Sequence, residues 1–215
     1  MKILILGTSR SGTTSLRRGI QEQGYHTIGE PFKSNTHESL VYEFVTGDRT
    51  YPLPELSEHS NICVKILCDQ VPKNLTTSFI DFTKEFIKEF DKVILLDRKN
   101  LIEHEESFVH LHWRIARNEK VHQSWTSDLI PESFRKQHYD DAKNTHLHLQ
   151  KEQLKEISEY TKIPITWYED LYSEDRFESF EIINKWGLKD IDSFELNDYL
   201  HPKNKLKKGS KKSMI

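Results

Sequence analysis

Apolar positions in this chain follow two periods. Consecutive apolar residues at 3–6 and 93–96, and Ile62, Val64 and Ile66 within 61–67, have the length and branched content of strands. Between them the spacing shifts to three and four, with Leu16 and Ile20 after the first run and Phe79, Phe82, Phe86 and Phe90 after the second. The pattern predicts a strand at 3–6 and a helix that Gly24 stops, followed by a short turn to Gly29. A polar stretch to His59 carries one short helix near 38–45. A strand at 61–67, a helix at 72–90, a strand at 92–96 and a helix at 101–115 come next. After a break at 125–131, a long polar helix spans 132–160, broken once. A strand at 163–167 leads to a helix striped by Phe177, Phe180, Ile183 and Trp186, which Gly187 ends.

Strands alternating with helices make parallel βαβ units, so the expected fold class is α/β, a single-domain parallel sheet flanked by helices. Ligands of such sheets bind outside the carboxyl ends of the strands. That rule gathers residues 7–14, 67–69, 97–107 and 168–170 at one edge.

The chemistry starts in the first of these stretches. Gly7-Thr8-Ser9-Arg10-Ser11-Gly12-Thr13-Thr14 joins a strand to a helix, and backbone N–H groups converging there with a helix dipole form an anion cradle. The Gly7-to-Gly12 spacing is that of a P-loop, but Thr13 stands where a nucleotide triphosphatase places lysine. The loop's one side-chain cation is Arg10. The cradle's charge has moved, which argues against ATP or GTP with magnesium. A kinase remains the alternative, because 93–97 reads as a strand whose terminal Asp97 could hold magnesium through water. A non-catalytic nucleotide-binding module is the third reading.

Composition narrows the partners. The formal net charge of the 215 residues is -3, which gives no basic excess for nucleic acid. No apolar run approaches the ~20 residues of a membrane span. The chain enters its first strand at once, leaving no room for a signal peptide, so a cytoplasmic protein with reduced Cys63 and Cys68 is expected. The histidine pairs 110/112 and 146/148 have a spacing that puts helix residues on different faces, so no metal site is expected.

Together these residues resemble the PAPS-dependent sulfotransferases, whose 5′-phosphosulfate loop reads like Ser9-Arg10-Ser11-Gly12-Thr13-Thr14, continuing to Ser15. Arg98 and Ser107, nine positions apart, resemble the pair that binds the 3′-phosphate. The interval matches bacterial carbohydrate sulfotransferases of the trehalose and Nod-factor type. Tyr168-Glu169-Asp170-Leu171 is similar to the YEDL run of many members, which implies that Tyr168 touches the adenine; a core tyrosine is the alternative. Val64-Lys65-Ile66-Leu67 is similar to the strand whose lysine contacts the sulfonate, but Leu67 stands where the cytosolic branch has its histidine base. The bacterial branch places a glutamate in a loop after the first helix, which implies Glu30 as base, with Asp69 and His104 next in line. Pro31 should hold Glu30 extended. Lys207, Lys208 and Gly209 loosely resemble a loop that closes over the 3′-phosphate; a solvated basic tail is the alternative.

The resemblance implies a P-loop NTPase-like sulfotransferase domain over 1–200 and a basic tail over 201–215. It implies that PAPS gives a sulfuryl group to an acceptor hydroxyl, on a carbohydrate, leaving PAP, with Arg10 and Lys65 as charge stabilisers and no metal. Residues 33–60 and 108–130 are expected to form the acceptor pocket.

Overall fold

The computed structural model describes residues 1–32, 55–71, 77–117, 130–141, 147–172 and 176–188. Strand β1 (Lys2–Gly7) lies between β3 (Ile62–Leu67) and β4 (Lys92–Asp97), with β2 (His26–Gly29) outside β3 and β5 (Ile165–Trp167) outside β4. All four pairings are parallel. The central strand therefore has helices over both faces, which is why its sequence is apolar without alternation. Leu4 and Leu6 pack with Phe79, Phe82 and Phe86 of α3 (Phe79–Phe86) and with Leu154 and Ile157 of α6 (Leu147–Thr161). Ile3 and Ile5 pack on the opposite face with Leu16 and Ile20 of α1 (Thr13–Glu22) and Ile183 of α8 (Arg176–Lys185).

From β1 the chain runs outward to β2 and back to β3, then crosses to β4 on the other side of β1. The crossover direction changes at β1, and the crevice of such a sheet opens there, outside the strand's carboxyl end. The remaining described helices are α2 (Glu55–Glu58), α4 (Leu101–Ala116), α5 (Glu132–Asp141) and α7 (Tyr168–Leu171). No helix among the described residues is long and apolar enough to cross a membrane. Cys63 and Cys68 are buried and unbridged.

Several expectations are corrected. The turn expected before Gly29 contains β2, an edge strand pairing on one side with β3; its half-exposed His26-Thr27-Ile28 lacks the apolar run that marks the inner strands. The helix expected over 72–90 begins in the described residues at Phe79, where the Ser78 hydroxyl accepts the Asp81 amide at 3.1 Å. It ends at Phe86 and passes through one 3₁₀ turn, Ile87–Glu89. Phe90 is extended, yet still meets Phe86 edge-on with ring centroids 5.1 Å apart. The last strand starts at Ile165 rather than 163, while the long polar helix falls into α5 and α6, in keeping with the single break expected in it. The helix expected near 38–45 lies outside the described residues.

Phe86 is fully buried and touches Phe32, Phe82 and Phe90. Phe86→Ala should destabilise the fold by about 3–5 kcal/mol through lost burial and a residual cavity. Denaturant unfolding followed by circular dichroism measures it, and a loss under about 1 kcal/mol would contradict this packing.

Candidate functional site

The loop after β1 can lie on β4 because Gly7 has no side chain. A Cβ there would stand 2.6 Å from the Leu96 carbonyl oxygen and 2.6 Å from Thr13 Cγ2. The Thr8 amide donates to the Leu96 carbonyl at 3.2 Å, and the Thr8 hydroxyl donates to Asp97 Oδ1 at 2.7 Å. The Ser11 hydroxyl closes the turn on the Thr8 carbonyl at 2.7 Å. Gly12 has φ 85 and opens α1. The rings of Tyr172 and Tyr168 fill the space where its side chain would be, and the Tyr172 hydroxyl donates to the Gly12 carbonyl at 3.0 Å. The Ser15 amide turns back to the same carbonyl. The amides of Thr13 and Thr14 head the helix with no acceptor among the described residues, which is the arrangement that attracts an anion.

Beside the loop stand Glu30 and Lys65. The ladder pairs Gly29 with Lys65, and the Glu30 amide donates to the Lys65 carbonyl at 2.7 Å. Lys65 is buried, and its ammonium forms an ion pair with Glu30 Oε1 and lies 3.5 Å from the Thr14 hydroxyl. Gln70 Nε2 donates to the other Glu30 oxygen at 3.1 Å. Glu30 is not extended as Pro31 suggested: its φ is 54. A left-handed residue costs about 1–2 kcal/mol, and the strand bond together with the ion pair holds it there against the local preference.

Arg10 and Ser107 are brought together directly. Arg10, itself left-handed at φ 66, donates from Nε to Ser107 Oγ at 3.0 Å. Arg98 lies over the Tyr168 ring at 4.3 Å and donates from Nη2 to Glu103 at 3.1 Å. Its Nε is buried without a hydrogen-bond partner, 3.9 Å from the nearest Glu169 oxygen. Burial, then the guanidiniums of Arg98 and Arg114, pull Arg10 down to about 10. It stays cationic at neutral pH, in surroundings that an arriving anion would relieve. Glu169 accepts the amides of Lys99 and Asn100 at 2.8 and 3.0 Å, joining the end of β5 to the start of α4.

Behind the loop is a polar layer that motif reading only partly anticipated. Both Asp97 oxygens accept from the Lys151 ammonium, at 2.9 and 2.8 Å. The carboxylate offered by the kinase reading is thus held by a lysine of α6. His104 is fully buried and bonds through Nε2 to the Ser9 carbonyl, with Nδ1 3.8 Å from Asp97. Gln150 Oε1 accepts the Ser9 amide at 2.7 Å, and its Nε2 donates to Asp69 at 2.9 Å. Both alternative bases, Asp69 and His104, are therefore engaged in holding the loop. Gln150 and Lys151 carry no motif. The signal for Gln150 was its place on the buried stripe Leu147, Gln150, Leu154 and Ile157, where a polar residue needs a partner.

No group of three or more potential metal ligands occurs among the described residues. Lys207, Lys208 and Gly209, and most of the expected acceptor walls, lie outside them. No family model, curated protein or solved structure matches this chain.

Burial lowers His104 from 6.5 to about 4; the Ser9 carbonyl and Asp97 oppose the shift, while Lys151 and Arg98 add to it. The unfolded chain then binds a proton that the folded chain does not between those values. Stability should be full above about pH 6.5 and fall as the pH drops toward 4, by on the order of 3 kcal/mol from this group. Denaturation midpoints against pH for the wild type and His104→Gln measure it. An equally steep acid loss in the variant would remove His104 as the cause.

Proposed function

We propose that this protein is a sulfotransferase that moves a sulfuryl group from PAPS to a hydroxyl of a carbohydrate acceptor. The observation that carries the reading is the Arg10–Ser107 contact beside Arg98 and Tyr168. It joins the helix-start cradle to α4, next to Arg98 at the end of β4, so in this reading two anion sites share one cleft edge. A nucleotide with a 5′-phosphosulfate and a 3′-phosphate uses both, whereas ADP or ATP uses only the first. The strand–loop–helix geometry of 2–22 supports a P-loop-like sulfotransferase fold, and Asp97 held by Lys151 disfavours the magnesium-dependent kinase.

In this reading the amides of Gly12, Thr13 and Thr14, with Ser9, Ser11 and Ser15 around them, face the 5′-phosphate. Arg98 and Ser107 take the 3′-phosphate, and Tyr168 borders the adenine. The acceptor oxygen attacks sulfur in line. The new S–O bond forms as the bond from sulfur to the 5′-phosphate oxygen breaks, and PAP leaves with that electron pair. The acceptor proton passes to Glu30. The Lys65–Glu30 ion pair supports this division of roles, because one displacement of the ammonium toward the developing charge frees the carboxylate as a base. Arg10 adds charge stabilisation between the two sites, and side-chain cations carry the electrostatics without a metal.

Two measurements test the reading. PAP should raise the melting temperature well above the shift given by equal ADP or by ATP with magnesium. Equal or greater stabilisation by ATP with magnesium would instead favour a kinase. Glu30→Gln should keep PAP affinity and lower kcat by ~10²–10⁴-fold. Turnover at the wild-type rate would remove Glu30 as the base.

A further inference from the structure

The Ser9 backbone is held from both sides by helices distant in sequence. Its amide is taken by Gln150 of α6 and its carbonyl by His104 of α4. Both side chains are buried, at 1% and 0% exposure. Gln150 is braced in turn by Asp69 at the end of β3, and His104 by its packing against Asp97. The peptide group between Ser9 and Arg10 is planar, and in its trans form C=O and N–H point in opposite directions. Turning the Ser9 carbonyl inward to His104 therefore turns the Arg10 N–H outward, away from the interior. A flip of this peptide would present a carbonyl oxygen where an anion binds, and would release Arg10 from φ 66.

We infer that His104 and Gln150 are positioning residues: His104 locks the Ser9–Arg10 peptide with its N–H outward, in the orientation that captures an anion, and Gln150 fixes the preceding peptide by holding the Ser9 N–H inward. The imidazole must donate from Nε2, so the neutral Nε2–H tautomer serves, and Nδ1 has no hydrogen-bond partner. The inference rests on the loop being the anion site of the proposed function, but not on PAPS being the ligand. It separates His104 from the general-base role, because its basic nitrogen, Nδ1, is buried and faces Asp97 at 3.8 Å.

The test measures binding of two probes, PAP and inorganic pyrophosphate, by calorimetry, and amide exchange across residues 8–12 without ligand. His104→Phe and Gln150→Met should each weaken both probes by roughly 10- to 100-fold, the scale of one hydrogen bond to a charged group. Each should also speed exchange in the loop. His104→Gln, which restores an N–H near the same place, should recover most of the affinity. A residue that merely fills space would lower the melting temperature in Phe and Gln variants alike and leave the affinity of the folded fraction unchanged, and that result overturns the inference. A wild-type protein that binds neither probe overturns it too. Binding of pyrophosphate with no preference for PAP defeats the donor assignment alone and leaves the positioning effect to be read from the pyrophosphate arm.

Discussion

The buried carboxylate of Asp97 ties the functional edge of the sheet together. It ends β4, beside the central β1, and accepts from Thr8 in the loop and from Lys151 on α6. His104 of α4 faces it at 3.8 Å. A carboxylate 4% exposed is tolerated only when paired and hydrogen-bonded. Meeting that requirement fixes where the loop starts, where α6 docks and which way α4 turns His104. Removing a single partner would leave a buried charge uncompensated, so these elements are placed as a set.

In front of that layer the charge balance reverses. Arg10, Arg98 and Arg114 act on one another closely enough to depress Arg10, although the whole chain carries -3. Net charge averages over the surface, whereas a ligand meets the local field of a cleft with low-dielectric walls. The paired Lys65 and Glu30 add no net charge to that field. Their contribution is a carboxylate and a cation already side by side at the carboxyl end of β3.

Two left-handed residues, Arg10 and Glu30, flank the cleft. Both conformations are imposed by bonds to other elements: the grip on Ser9 before Arg10, and the Lys65 carbonyl and ammonium on Glu30. Strain at a site with surroundings that over-determine it is a common way to aim a side chain that local preference would send elsewhere.

The sequence by itself determined the inner strands, the stripe of Phe79, Phe82 and Phe86, and the strand–loop–helix at 2–22, because burial on two faces and helical spacing write themselves into residue order. It also marked Gly7 and Arg98 at strand ends, Gly12 at the start of the first helix and Ser107 on the helix after Arg98. Tertiary structure alone decided the rest. His26–Gly29 became a strand because β3 offered it an edge, and Glu30 left the extended region because Lys65 held it. Arg10 met Ser107 across 97 positions, and Ser9 met Gln150 across 141. Polar contacts at such separations leave no periodic trace. They depend on which strands lie side by side, and that is set by the packing of the whole sheet.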